Sequence, residues 1–487
     1  MKRLYTAILC ALFSLVFIAC SDDDSFSTSP SNILTFETDT LSLDTVFSTV
    51  PSPHKQMFVY NTSGDGIRIT NVRLQNGNQT GFRVNVNGTY LGELSGYKVN
   101  DLELREGDSL RIFVELTSAN NLDTKPQPVS DNLIFTLESG VRQQINLKAL
   151  SWDAFLLRNL TINNDTTISN PDGKPVVVYG NITVKEGKTL TIAPGTTIYF
   201  HDKAGIDVSG TLKAIGEQDN EITLRCDRLD RMVSNLTYDN NPGQWGGITL
   251  RANSFNNEMA YTDLHGATSA FLCDSSENAT DTKLILRNTT IHNLKGHGVK
   301  ATNCKIHIEN TQISNALDSC LYFLGGDVNI QYSTIAQYYA FPSNRSRGPA
   351  LAFANALGDQ YIPLTMTVSN SIVKGYDDDV IYWSRGSLDN ELQVKFENCL
   401  LRTPQPSTSD ITMFSDCIFE DVKDTLTTGP NSFILFDTHN FFYDFTPKEG
   451  SQAIGAAIPD PNIPIDRKGK TRHTQKPDMG CYETDKE

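Results

Sequence analysis

The chain is short of positive charge. Its 487 residues carry 41 Lys and Arg against 57 Asp and Glu, a net charge of −16. A partner with a phosphate backbone would demand a basic face, so no nucleic acid is expected. Long apolar runs are also lacking. The longest, residues 7–18, is too short to span a bilayer comfortably. Cysteine is sparse, at nine residues, and there is no CxxC or His-rich spacing of the kind that builds a zinc site, so no metal site is expected. A leucine-dense repeat is absent too, which excludes a leucine-rich solenoid.

What is present is a repeat. Residues 284–335 fall into rows of 22, and Asn288, Asn310 and Tyr332 occupy the same place in successive rows. Before that place stand apolar pairs two residues apart: Leu284 and Leu286, Ile306 and Ile308, Val328 and Ile330. Period two is the strand signature. Asn tolerates the left-handed backbone of a sharp corner. A small residue follows (Thr289, Thr311, Ser333), then an aliphatic (Ile291, Ile313, Ile335). Strand, corner and strand, stacked at this period, predict one coil of a parallel β-helix. Looser rows continue through Asn370, Asn398 and Asp416, and Tyr261 holds the slot upstream. The corner Asn288, Asn310, Asn370 and Asn398 are expected to stack as a hydrogen-bonded ladder.

The expected architecture is all-β: an N-terminal sandwich over residues 33–150, then a helix over residues 155–487. The first part alternates apolar and polar residues in seven or eight short segments separated by turns such as NTSGDG and EGDS. It shows no nucleophile, base or Gly-rich phosphate loop, so a spacer or docking role is expected.

The first residues read as targeting. Lys2 and Arg3 precede the apolar run, which ends FIAC at Cys20. This resembles a bacterial lipoprotein signal peptide over residues 1–19, which implies lipidation of Cys20 and anchorage to a membrane. Ser21, Asp22, Asp23 and Asp24 resemble the acidic export signal of Bacteroidetes lipoproteins, which implies the outer face of the outer membrane. Residues 20–32 then form a tether. Seven cysteines remain beyond Cys20, an odd number that leaves at least one free.

The sandwich resembles the Ig-like modules of bacterial surface lipoproteins. The stretches TLTIAPGTTI, VSGTLKAIG and WGGI resemble the right-handed parallel β-helix family that includes the pectate lyases. The closing segment matches as well, through Asp466, Gly469, Arg472, Asp478, Gly480 and Glu483, expected to lock the last coil and cap its end. That fold hosts many functions, so activity has to come from a site.

Two candidate sites emerge. Outward positions before the corners place Arg287, His307, Glu309, Lys395 and Glu397 on one strand face. Lyases of the fold use a Lys or Arg base there, with acidic residues that neutralise a uronate or hold calcium, and hydrolases use paired carboxylates. The interval from Tyr332 to Asn370 is 16 residues longer than a row. This excursion and the coil after it hold Tyr338, Tyr339, Arg345, Arg347, Tyr376, Asp377, Tyr382 and Trp383. Aromatic rings with Arg and Asp beside them suit a sugar chain, and loops on a rigid scaffold often carry function. The expected function is non-catalytic: a surface lipoprotein that binds glycan or another extracellular ligand, or mediates adhesion, through its β-helix, with a polysaccharide or a surface protein as partner. A lyase or hydrolase acting on acidic polysaccharide is the alternative. Finally, Ile372, Leu400 and Ile418 point outward after their corners, which predicts that residues 430–465 cover them.

Overall fold

The computed structural model describes residues 25–485 except 171, 387–391 and 407–408. The predicted signal peptide and Cys20 lie outside the described residues. The chain divides into two compact units, residues 1–153 and 154–487. Among the described residues no helix is long and apolar enough to cross a membrane.

The first unit is a sandwich of two five-stranded sheets. One runs in the order Leu34–Phe36, Lys55–Asn61, Ser109–Leu116, Phe82–Val86, Thr89–Tyr90. The other runs Thr40–Phe47, Arg142–Trp152, Gln127–Leu137, Ile67–Leu74, Lys98–Leu104. Burial alternates along the strands, as in Ser109–Leu116, where Leu110, Ile112, Val114 and Leu116 point inward. Those side chains meet Val59, Ile69, Leu133 and Phe135 from both sheets in one core.

The second unit is a parallel β-helix with three strands per full coil. The first face is an eleven-stranded parallel sheet. The second and third faces are two tracks of a seventeen-stranded sheet. In the central coils one strand serves both tracks: His297–Glu309 bends at Asn303, whose φ is 47°, and continues. Ile291, Ile313 and Ile335 pair in register on the first face, and Leu286, Ile308 and Ile330 on the third. These side chains fill the interior, where contact with neighbours above and below leaves them no solvent.

Every predicted corner is left-handed. Tyr261, Asn288, Asn310, Tyr332, Asn370, Asn398 and Asp416 have φ between 43° and 52°. A second corner, between first and second faces, uses Asn293 and Asn315 in the same conformation, at φ 56° and 54°. The small residues after the first corner form a continuous stack. The Thr289 amide donates to Thr311 Oγ1, that of Thr311 to Ser333 Oγ, and that of Ser333 to Ser371 Oγ. Cys399 and Cys417 continue the row as free thiols.

The C-terminal segment covers the first face. Ile372 and Leu400 are each 1% exposed, beneath Phe433, Phe445, Met479 and Tyr482. Phe436 and Tyr443 pack there as well, whereas Phe441 stacks on Phe341 and Phe442 is exposed. The closing residues do not cap the end of the helix. They run back along its side: the Gly480 amide donates to Asn370 O, Arg472 reaches Asn310, and Arg467 pairs with Glu221, many coils upstream. Gly480, at φ +89°, sits so close that a Cβ would lie 2.6 Å from Thr334 Oγ1.

Candidate functional site

The second face carries a cleft of about 600 Å³ near the C-terminal coils. Its floor follows from strand register. Lys300, Tyr322, Ala352 and Tyr382 pair in sequence and alternate with inward residues, so all four point out. Ala352 between two tyrosines leaves a trough, with Tyr322 and Tyr382 as its raised ends. Tyr382 is 63% exposed. Lys300 Nζ stands 5.7 Å from the Tyr322 ring, and the His297 ring 5.9 Å from it.

One wall is built from turns. The His297 imidazole shares a 2.8 Å hydrogen bond with Ser319 Oγ and lies 3.9 Å from Asp318. Burial holds its pKa below the usual 6.5, against the pull of Asp318 and with the help of Lys300 and Arg345. Asp318 accepts from Arg345 at 2.7 Å. Arg347 pairs with Asp377 at 3.1 Å and lies over the Tyr376 ring. Asp379 accepts from Thr403 Oγ1 at 2.7 Å. Each carboxylate of the cleft therefore already has a cation or a hydroxyl on it.

The predicted recognition residues divide. Arg347, Asp377, Tyr382 and Trp383 line the cleft. Arg345 stands behind it through Asp318. Trp383 is half-buried, stacked on Phe353. Tyr338 and Tyr339 do not reach the cleft. Tyr338 is fully buried among Phe433, Phe436 and Phe445 under the first-face cover, and Tyr339 packs on Phe341. Tyr376 packs edge-on against Tyr338. Their aromatic surface is spent on packing, because the excursion folds down onto the coil. His297, Asp318, Tyr322 and Asp379 were not anticipated. The inward pair Leu321 and Phe323, two residues apart, would have placed Tyr322 between them outward.

The charged set on the third face is in register but not together. Ile285, His307, Asn329, Thr367 and Lys395 form one outward row, and Arg287, Glu309, Gln331, Ser369 and Glu397 the next. Arg287, His307 and Glu309 cluster: His307 Nε2 lies 3.0 Å from Glu309, and Arg287 bonds Glu258 at 2.5 Å, which also holds Lys213 at 3.2 Å. Lys395 and Glu397 share one rung, three rungs from His307 and Glu309 and four from Arg287, about 14–19 Å away at normal strand spacing. This set reads as solvated cross-strand pairs.

The corner asparagines form a ladder at one step. Asn310 Nδ2 donates to Asn288 Oδ1 at 2.5 Å. At the next step Tyr332 interrupts it. Asn370 turns to the closing segment, donating to Ile458 O and accepting from the Ile458 amide, both at 2.9 Å.

A third constellation lies on the first face. The fourth residue after Tyr261 and after Asn288 is a histidine, and His265 and His292 are paired across adjacent rungs with ring centroids 4.8 Å apart. Asp263 bonds His265 Nδ1 at 2.5 Å and lies 3.4 Å from His292 Nε2. Asp239, from residues 227–244, lies 2.9 Å from His265 Nε2 and 2.7 Å from Arg225. Burial opposes a charge on His265, but the two carboxylates outweigh it and hold its pKa up, at about 10. Extending the repeat one position beyond the aliphatic would have revealed both histidines.

No protein-family model and no curated protein matches the chain. Among solved structures, pectate lyase Pel9A is 13% identical over 68% of this chain and 88% of that one, with a TM-score of 0.29. The catalytic domain of Agl-KA is 12% identical over 72% and 80%, at a TM-score of 0.21. A family 123 glycoside hydrolase from Clostridium perfringens is 7% identical at a TM-score of 0.17, and the match spans a quarter of that chain. With TM-scores this low, function rests on the residues of this chain.

Proposed function

We propose that the chain is a bacterial surface lipoprotein, anchored through Cys20 to the outer membrane, that binds a saccharide chain in the second-face cleft without cleaving it. The carrying observation is the outward row of Tyr322, Ala352 and Tyr382. Two rings two rungs apart, about 10 Å, bracket a trough wide enough for sugar rings to lie flat. The polar walls supply Arg347, Asp377, Asp318 and His297 for hydroxyl and carboxylate groups. A binding role is favoured over catalysis because the cleft carboxylates are already engaged, whereas a general base must be free to take a proton. The first unit serves as an Ig-like spacer between anchor and cleft. The acidic residues after Cys20 support display on the outer face.

The test is affinity electrophoresis of the chain against plant, host and microbial polysaccharides, with reducing-end release and ultraviolet absorbance of unsaturated products read on the same panel. Retardation without product, lost in Tyr382→Ala, is expected. Product release abolished by His297→Ala, His307→Ala or Lys395→Ala would make the protein a lyase or hydrolase instead. Metabolic labelling with palmitate, lost in Cys20→Ala, checks the anchor.

A further inference from the structure

The cluster on the first face has the makings of a second site, independent of the cleft. Its geometry follows from the coil. Asp263 and His265 are two apart on one strand, so both point outward, and His292 occupies the matching place one rung on. Parallel rungs are spaced about 4.8 Å, which brings two imidazoles alongside each other. The donor atoms of Asp263, His265 and His292 all lie within 4.8 Å of one another. Asp239 closes the group from the opposite side, 2.9 Å from His265 Nε2. The cluster is recessed but open: His265 is almost buried, while His292 and Asp263 retain partial exposure.

We infer that Asp263, His265 and His292 bind one divalent transition-metal ion of the zinc class, with Asp239 holding the far ring nitrogen of His265. Imidazole nitrogens suit zinc, copper, nickel and iron, and are poor ligands for calcium or magnesium. Bonds of about 2.0–2.2 Å to such an ion require the donors to converge by small side-chain rotations, with no movement of the strands. Two carboxylates offset the charge of the ion. Asp239 accepts from His265 Nε2 and carries Arg225, which orients it. The ion ties two successive coils together, and Asp239 joins residues 227–244, which lack the repeat, to His265. Its role is that of a staple.

The purified full chain, stripped with chelator, is titrated with Co²⁺ followed by visible absorption and with Zn²⁺ followed by calorimetry. One ion per chain is expected, without a thiolate-to-cobalt charge-transfer band. His292→Ala and Asp263→Asn should each weaken binding at least ~10-fold, while His54→Ala, in the first unit, leaves it unchanged. The melting temperature should rise on adding Zn²⁺ to the parent chain and not to the variants. Where His292→Ala fails to fold, His292→Gln replaces it. No binding by the folded parent chain would overturn the inference and leave the cluster as an imidazolium held between carboxylates. Equal binding by parent and variants would overturn it as well, and would assign the ion to the cysteines.

Discussion

Arg472 Nη2 donates to Asn310 Oδ1 at 2.7 Å, so the end of the chain is fastened to a corner of a central coil 162 residues earlier. The same guanidinium donates to Gly480 O at 2.9 Å and lies 3.5 Å from Glu483, and both charged side chains are nearly inaccessible. Glu483 in turn accepts from the Asp478 amide and donates its own amide to Asp466. Removing Arg472 takes the paired cation from a buried carboxylate that the His473 and Asp478 amides also hold. Arg472→Ala is expected to cost about 3–5 kcal/mol, read from the denaturant midpoint of unfolding.

The corners separate backbone need from side-chain need. Asn398 has φ 51°, as does Asn370, but Asn370 also makes two bonds to Ile458. Glycine adopts this conformation freely. Asn398→Gly should therefore be near neutral, whereas Asn370→Gly should cost about 1–3 kcal/mol through two lost hydrogen bonds. Asn398→Val should cost about 1–2 kcal/mol by backbone strain alone. Urea unfolding of the three variants checks the order.

That much was readable in advance because a corner constrains one residue strongly and recurs at fixed spacing. The aliphatics Ile372, Leu400 and Ile418 were readable for a similar reason: apolar side chains on an outward row need a lid, and the lid buries the first two fully and Ile418 in part. The cleft was not. It lies on the second face, beyond a second corner at Asn293 and Asn315, whose 22-residue spacing recurs only once before Gln337 ends the row. Tyr338 and Tyr339 were misleading, since aromatics in an insertion serve packing and recognition equally well. Asp239 reaches the histidines from a stretch without periodicity, and only the fold brings it there.

Two tyrosines should behave oppositely. Tyr382 is exposed at the cleft, and Tyr338 is enclosed by aromatic rings. Tyr382→Ala should weaken saccharide binding about 10-fold or more and leave the melting temperature within error, since one stacked ring contributes on the order of 1–2 kcal/mol. Tyr338→Ala should cost about 3–5 kcal/mol of stability. Affinity electrophoresis and thermal melting of both variants decide.

The cleft also confers a pH dependence. His297 titrates below its ordinary 6.5 because burial disfavours the cation, with Asp318 opposing and Lys300 and Arg345 reinforcing. Between that lowered value and 6.5 the unfolded chain binds the proton more readily than the folded one. Stability must therefore fall as pH drops below about 6.5. His297→Asn should flatten the slope of the urea midpoint between about pH 7 and 5, and the His297 ring resonances of the parent should titrate with a midpoint below 6.5.

Near the last coils, Lys374 and Arg402 both pair with Glu420, and Lys374 and Glu420 are at most 1% exposed at their side chains. The Gly429 amide also donates to Glu420, and Lys374 donates to Ser432 Oγ, so the triad joins two coils to the start of the covering segment. Burial pulls the Lys374 pKa down, and Glu420 resists it. Glu420→Gln would leave Lys374 in a dry site without its carboxylate, beside Arg402, which keeps only the exposed carboxylate of Asp378, at 3.1 Å. Their mutual repulsion is poorly screened there, and neither can turn to solvent without opening the cover. The expected loss is about 3–5 kcal/mol, together with protease cleavage within residues 421–450 under native conditions as the cover lifts. The partly exposed Lys55–Asp44 pair, at 2.8 Å, is the control. Its loss in Asp44→Asn should cost no more than about 1 kcal/mol. Equal costs for the two substitutions would mean that Glu420 is hydrated in solution and that the cover is already open.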